Sequence, residues 1–303
     1  TINVESEYGK GSCFRITLAQ KITGTELIAQ MLEKDNSEPA DGGIYIPSFT
    51  APKASILVVD DNQINLMVVK NLLKHTKVKI TLCMSGKEAL ELLHSNRYDI
   101  ILLDHMMPQM DGIETLKEIK KMDENASRDA AIIALTANAV SGVREMYLAE
   151  GFDDYVSKPI DGKILEKTLI RYLPEEKIVG SCGTKKEQDD MHGDKSDTID
   201  MLPGNDAGKI INEIKLKLPE IDIDKGLTVS AGDKEFYLQI FNCFVNLPIR
   251  EELNSFLAAA DYENYEIRIH GFKNNAYNIG AVELGDLAAK MQDLSKDRLT
   301  EEI

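Results

Sequence analysis

Five short apolar runs constrain this chain more than any other feature. They lie at 56–59, 78–83, 100–103, 131–135 and 155–156, and Ile56-Leu57-Val58-Val59 is apolar at every position. A strand with apolar side chains on both faces must be covered on both faces, which is the situation in a parallel sheet. Between and after the runs lie amphipathic segments of helical length, at 64–73, 87–93, 113–120, 143–149 and 164–172. Five strand-then-helix units in about 120 residues predict one doubly wound, five-stranded parallel sheet of the α/β class. Right-handed crossovers put its helices on both sides.

The flanking stretches read differently. Residues 1–21 alternate at strand period (Ile2, Val4; Phe14, Ile16, Leu18) around Gly9-Lys10-Gly11-Ser12, which predicts a hairpin. A hairpin alone is marginal and belongs to a larger sheet. Residues 22–53, with Pro39, Gly42, Gly43, Pro47 and Pro52, read as a linker, and the sheet domain is expected over 54–174. Residues 175–217 are glycine-rich and acidic and are expected to be a flexible linker. From about residue 218 to 303 the period changes. Tyr237, Ile240, Phe241 and Phe244 share one helix face, as do Leu284, Leu287, Ala288, Met291 and Leu294, so this part is expected to be an all-helical bundle.

Composition excludes several classes. The 303 residues carry a net charge of −16, a poor match for a phosphate backbone, so no nucleic-acid partner is expected. No apolar run of about 18 residues is present, so no membrane span is expected. The four cysteines (13, 83, 182, 243) form no CxxC and fit free thiols of a reducing cytoplasm. The start at Thr1 lacks a basic region and an apolar region, so it is not a signal peptide, and it does not read as a natural start.

Ligands of an open parallel sheet sit beyond the carboxyl ends of its strands. Here those ends carry Asp60-Asp61, Asp104, Thr136 and Lys158. A single aspartate there is ordinarily a helix cap; the whole set converging on one rim is a site. Three adjacent carboxylates repel one another unless a cation joins them, and Mg²⁺ (or Mn²⁺) suits oxygen donors. A metal, an amine and a hydroxyl around one carboxylate suit phosphoryl transfer onto it. In the helical part, His270 shares a face with Lys273 and Asn274, while Ile269, Phe272, Ala276 and Ile279 form the apolar stripe opposite. His270 is therefore expected to be exposed, with a cation beside it, and able to carry a phosphoryl group on nitrogen.

Val58-Val59-Asp60-Asp61-Asn62, the run from Leu102 to Gly112 around Asp104, Ala134-Leu135-Thr136-Ala137 and Tyr155-Val156-Ser157-Lys158-Pro159 resemble the motif set of response-regulator receiver domains. The resemblance implies a flavodoxin-like fold with Asp104 as phosphoacceptor. It implies Mg²⁺ held by Asp61, Asp104 and the Met106 carbonyl, with Asp60 helping through water. Thr136 and Tyr155 would switch position on phosphorylation, Lys158 would hold the phosphoryl group, and Lys158-Pro159 would be cis. Asn62 and Asn65 resemble receivers fused to hybrid sensor kinases. The segment from Tyr265 to Ala281 resembles the core of histidine phosphotransfer domains, which implies His270 as phosphohistidine and Lys273 as its charge partner. Asn274 stands where that family has glycine and is expected to crowd a docking receiver. The bundle is expected to be incomplete at its C-terminus, with Thr300 capping a further helix. Glu5 to Leu18 resembles the last hairpin of a histidine-kinase ATPase domain whose ATP-binding motifs are absent here.

The chain thus reads as a cytoplasmic C-terminal part of a hybrid sensor histidine kinase in a phosphorelay. It would need no organic cofactor, and the parent protein would be the ATP-dependent enzyme. The implied partners are a kinase core or other phosphohistidine donor, and the phosphotransfer or receiver domain of a downstream regulator. The alternative is a phosphorylation-switched interaction module with an inert His270.

Overall fold

The computed structural model describes residues 2–7, 11–16, 45, 47–122, 124–137, 143–179 and 207–296. The chain divides into two compact units, 1–42 and 43–303. In the first, β1 (Ile2–Glu7) and β2 (Gly11–Ile16) form an antiparallel pair with Ile2 opposite Ile16 and Glu7 opposite Gly11. The expected hairpin is therefore present, although Tyr8, Gly9 and Lys10 lie outside the described residues.

In the second unit, β3 (Ser55–Val59), β4 (Lys79–Cys83), β5 (Ile100–Asp104), β6 (Ala131–Thr136) and β7 (Asp154–Ser157) form one parallel sheet in the order β4-β3-β5-β6-β7. The intervening helices are α1 (Gln63–Leu73), α2 (Gly86–Ser95), α3 (Gly112–Lys121), α4 (Val143–Glu150) and α5 (Gly162–Tyr172). Strand side chains alternate between two cores. Leu57, Val59, Ile101, Leu103 and Ala134 pack with α2, α3 and α4. Ile56, Val58, Ile100, Leu102, Ile133 and Leu135 pack with α1 and α5. This accounts for runs apolar at every position: both faces are buried.

Local chemistry starts the helices where the pattern places them. Asn62 caps α1 by accepting from Ile64 N at 3.0 Å. Ser85 caps α2, Asp161 caps α5, and Asp111 with Glu114 forms a full capping box on α3.

Among the described residues six α-helices follow: α6 (Ala207–Lys217), α7 (Ile223–Val229), α8 (Lys234–Val245), α9 (Ile249–Ala258), α10 (Tyr262–Asn278) and α11 (Val282–Lys296). Tyr265, Ile269 and Ala288 form one core with side chains of α9. Ile211, Ile223, Tyr237, Ile240, Ala276 and Ile279 join the core on the α1–α5 side of the sheet.

Two stretches expected to be linker are ordered. Helix α6 occupies 207–217, where Ile211 and Ile214, three residues apart, reach the core. Those apolar positions were hidden by acidic, glycine-rich neighbours. Ahead of the sheet, Phe49 and Ala51 are buried and Thr50 bridges to Val179. The Tyr45 hydroxyl donates to the Gly162 carbonyl and to Glu166, while Tyr45 N donates to Ala231 O at 2.7 Å. Tyr45 thus meets both the sheet domain and the helical region, and Phe49 and Ala51 are buried in the core they share.

Two glycines give opposite expectations. A Cβ on Gly112 would lie 2.2 Å from the carbonyl oxygen of Asp104, so α3 can abut the end of β5 only with glycine there. A Cβ on Gly271, inside α10, would meet Asn62 Nδ2 at 3.7 Å, an ordinary contact. In denaturant unfolding, Gly112→Ala is expected to lower stability by about 1–3 kcal/mol. Gly271→Ala is expected to raise it by up to about 1 kcal/mol.

Candidate phosphoryl-transfer site

The sheet order brings the predicted residues together. Val59 pairs with Leu103, so the residues that follow, Asp60 and Asp104, leave neighbouring strands side by side. Both are buried, at 0% and 2% exposure, and Lys158 after β7 is 7% exposed. Lys158 Nζ lies 2.7 Å from Asp60 Oδ2 and 2.7 Å from Asp104 Oδ1. Lys158 N donates to Thr136 O at 2.6 Å, and the Lys158-Pro159 peptide is cis as expected. Asp60 is further held by Asn65 Nδ2, at 3.1 and 3.2 Å from its two carboxylate oxygens, and by Asn62 N at 2.9 Å.

Electrostatics follow from burial. Desolvation pushes Asp104 well above the carboxylate range, against the pull of the lysine. Burial, then the charge of Asp60, raises Asp61 to about 6. Burial opposes the Lys158 charge, but Asp104 and Asp60 hold its pKa above the usual lysine value. One ammonium faces three carboxylates, a deficit that a cation would correct.

The residues fit a divalent metal. Asp60, Asp61 and Asp104 each present an oxygen, all within 4.8 Å of one another. Beyond the ion pair with Lys158, Asp104 Oδ1 accepts no hydrogen bond among the described residues, so it retains capacity for a ligand. Hard oxygen donors suit Mg²⁺. Met106 lies two residues past Asp104, on the loop before α3.

Thr136 ends β6 and is buried. Tyr155, on β7, is half-buried and stacks on Tyr147 with ring centres 6.4 Å apart. Tyr147, absent from the sequence-based set, is buried in α4, shares a hydrogen bond with Thr136 and meets His105 edge-on at 5.5 Å. Its aromatic ring on the inner face of an amphipathic helix read only as core.

One expectation is overturned. His270 is not exposed: it is 7% accessible, with Gln292 of α11 against its ring, while the neighbouring face of α10, at Gly271, Asn275 and Asn278, lies against the start of α1. The helical pattern identified the apolar stripe correctly but not the partner covering the polar face. Asn62 Nδ2 donates to Gly271 O (3.2 Å) and Asn275 Oδ1 (2.7 Å), and Asn278 Nδ2 donates to Asn65 Oδ1 (3.0 Å). Farther along, Asn71 Nδ2 donates to Ser230 O and Lys74 pairs with Asp233 at 2.7 Å. Asn274 is buried as well, and its Nδ2 has no partner among the described residues.

Gln292, which sequence reasoning missed, links the groups. Its Nε2 is 3.2 Å from His270 Nδ1 and 3.7 Å from Met106 Sδ, and its Oε1 accepts from Lys273 Nζ at 2.8 Å. The ammonium fixes the amide with its oxygen toward lysine and its NH₂ toward the imidazole. The NH₂ donates, so Nδ1 accepts, and in the neutral ring the proton is carried on Nε2. Burial, and then the charges of Lys273 and Lys158, hold His270 well below the usual histidine pKa, so the ring is neutral.

The raised Asp61 gives a signed pH dependence. Its folded-state pKa of about 6 exceeds the 3.8 of an unperturbed aspartate, so between them the folded state binds the extra proton. Stability is then greatest below the lower value and is lost as pH rises through the higher. Metal-free protein is expected to melt at progressively lower temperature from about pH 4 to about pH 6.5, with Asp104 acting in the same direction. Adding Mg²⁺ should remove the decline; a flat profile in chelator would contradict the assignment.

Residues 56–170 match the family model of the response regulator receiver domain. The signal transduction histidine-protein kinase BarA of Shigella flexneri is 38% identical over 120 residues, which are 40% of this chain and 13% of that protein. The aerobic respiration control sensor protein ArcB of Escherichia coli K12 is 26% identical over 291 residues, 96% of this chain and 32% of that protein. Among solved structures, the receiver domain of the sensor histidine kinase PA1611 of Pseudomonas aeruginosa is 37% identical, covering 39% of this chain and 96% of that one, with a TM-score of 0.36. The chain spans at most about a third of the length of these two curated relatives. Residues 56–170 are a response regulator receiver domain, carried by a chain related to the hybrid histidine kinases.

Proposed function

We propose that this chain relays a phosphoryl group between Asp104 and His270, with 54–174 as the receiver and 218–303 as the histidine phosphotransfer module. The observation that carries the reading is Gln292, which touches the imidazole of His270 and the loop after Asp104 at once. A buried histidine tied through one amide to the loop after Asp104 is poorly explained as an ordinary surface residue. The same contact favours transfer over the alternative of a switch with an inert His270.

Bound Mg²⁺ would neutralise charge on the equatorial phosphoryl oxygens, held by Asp61, Asp104 and the Met106 carbonyl, with Asp60 helping through water. The chain's own groups do the rest. A carboxylate oxygen of Asp104 attacks phosphorus of a phosphohistidine donor as the P–N bond breaks and the imidazole leaves. Lys158, anchored to both aspartates, stabilises the transferred charge. Thr136 bonds a phosphoryl oxygen, and Tyr155 turns inward as the hydroxyl moves, so the face around β7 and its neighbouring helices changes shape. For onward transfer, Nε2 of His270 loses its proton to solvent and attacks phosphorus while the Asp104 P–O bond breaks and the carboxylate departs. Lys273 offsets the new negative charge. The kinase core that loads the site, and the regulator that receives the group, lie outside this chain.

Acetyl phosphate with Mg²⁺ is expected to label wild-type protein at Asp104 and, through it, at His270. The histidine-linked label is recognised by its stability to base and lability to acid. Asp104→Asn should lose both labels, and His270→Gln only the second. Label on His270 in the Asp104→Asn variant would refute the relay.

A further inference from the structure

We propose that Asn62 and Asn65 are a two-position recognition code by which this receiver selects the His270 helix of its own chain, through an acceptor at Asn275 and a donor at Asn278. The inference deepens the relay reading and concerns the partner, not the transfer.

Each asparagine presents a fixed polarity. Asn62 Oδ1 is committed to capping α1, where it accepts from Ile64 N at 3.0 Å, so Asn62 offers only its Nδ2 outward. Asn65 is committed the other way. The Asp60 carboxylate takes Asn65 Nδ2 at 3.1 and 3.2 Å, so Asn65 offers only its Oδ1. A helix cap and a buried acid therefore set the docking face to donor at 62 and acceptor at 65, nearly one turn apart. Neither amide can flip without breaking those bonds.

The facing helix carries the complement at the same three-residue spacing. Asn275 Oδ1 accepts from Asn62 at 2.7 Å, and Asn278 Nδ2 donates to Asn65 at 3.0 Å. Both residues are buried, at 1% and 2% exposure, so a mismatch leaves a polar group unpaired without water. The two positions differ in tolerance. Asn62 also donates to Gly271 O, a backbone acceptor available in any sequence, whereas Asn278 is the donor recorded for Asn65 Oδ1. Position 278 is thus the stricter of the two. Rejecting a partner that lacks a donor there is specificity by unpaired groups.

The test reads the accessibility of His270 in the full 303-residue chain, using carbethoxylation by diethyl pyrocarbonate quantified by peptide mass spectrometry, with exposed His94 as internal reference. Asn278→Asp sets a carboxylate against Asn65 Oδ1 and should raise the relative rate at His270 at least tenfold. Asn275→Asp keeps an acceptor opposite Asn62 and should raise it less than threefold. Should an aspartate variant lose helix content by circular dichroism, the alanine pair decides, with Asn278→Ala expected to expose His270 several-fold more than Asn275→Ala. Equal effects at both positions, or no effect at 278, overturn the code. Protection that disappears on dilution indicates a second copy as the partner and overturns recognition within one chain. No phosphate enters this readout, so the code and the relay can fail separately.

Discussion

A single buried ammonium organises this molecule. Lys158 sits between Asp60 and Asp104, 2.7 Å from each, with all three nearly inaccessible. Charges are retained at such depth only with close partners, because removing one leaves the others uncompensated. The arrangement requires three strand ends at one rim, and the order β4-β3-β5-β6-β7 provides that. It also requires α3 to leave the end of β5 at very short range, where Gly112 admits the Asp104 carbonyl. The lysine satisfies only part of the negative charge. Burial, and then the charge of Asp60, raise Asp61, and the shortfall leaves a cluster of three oxygens that suits a cation.

The same pocket shapes the surface around it. Asp60 takes the amide nitrogen of Asn65, and this alone decides that an oxygen points outward from the start of α1. The helix cap decides the opposite polarity for Asn62. Features that stabilise the receiver internally thus write the polar pattern its partner must match. The contacts lie in one region: the α1 terminus meets α10, Gln292 spans to the Met106 loop, and farther along α1 Lys74 meets Asp233. The Lys273–Gln292–His270 chain uses fixed charge to orient an amide, and the amide to orient a ring.

Much of this was legible in the residues. The runs at 56–59 and 100–103 announced a sheet covered on both faces, and Asp60, Asp61, Asp104, Thr136 and Lys158 fell at strand ends where topology converges. Those signals are strong because they depend on local period and on a general rule for where sites form in parallel sheets. Tyr147 and Gln292 were not legible. An aromatic residue on the inner face of a helix reads as core, and a glutamine late in an amphipathic helix reads as surface. Helix α6 and the packing of Tyr45, Phe49 and Ala51 were obscured because a few apolar residues among glycine, proline and acids do not reveal that a neighbouring surface awaits them.

His270 marks the boundary between the two kinds of knowledge. The sequence determined that it shares a helix face with Lys273 and Asn274, since the geometry of one helix follows from the spacing of its own residues. Whether that face meets water or protein is a property of surfaces brought together from elsewhere in the chain: Gln292 of α11 lies against His270 and Lys273, and on the adjoining face Asn62 meets Gly271 and Asn275. Only the tertiary structure decided it, because burial depends on which elements meet, and the polarity of the groups that meet is set by bonds each makes elsewhere: Asn65 to Asp60, Asn62 to a helix cap, Gln292 to Lys273.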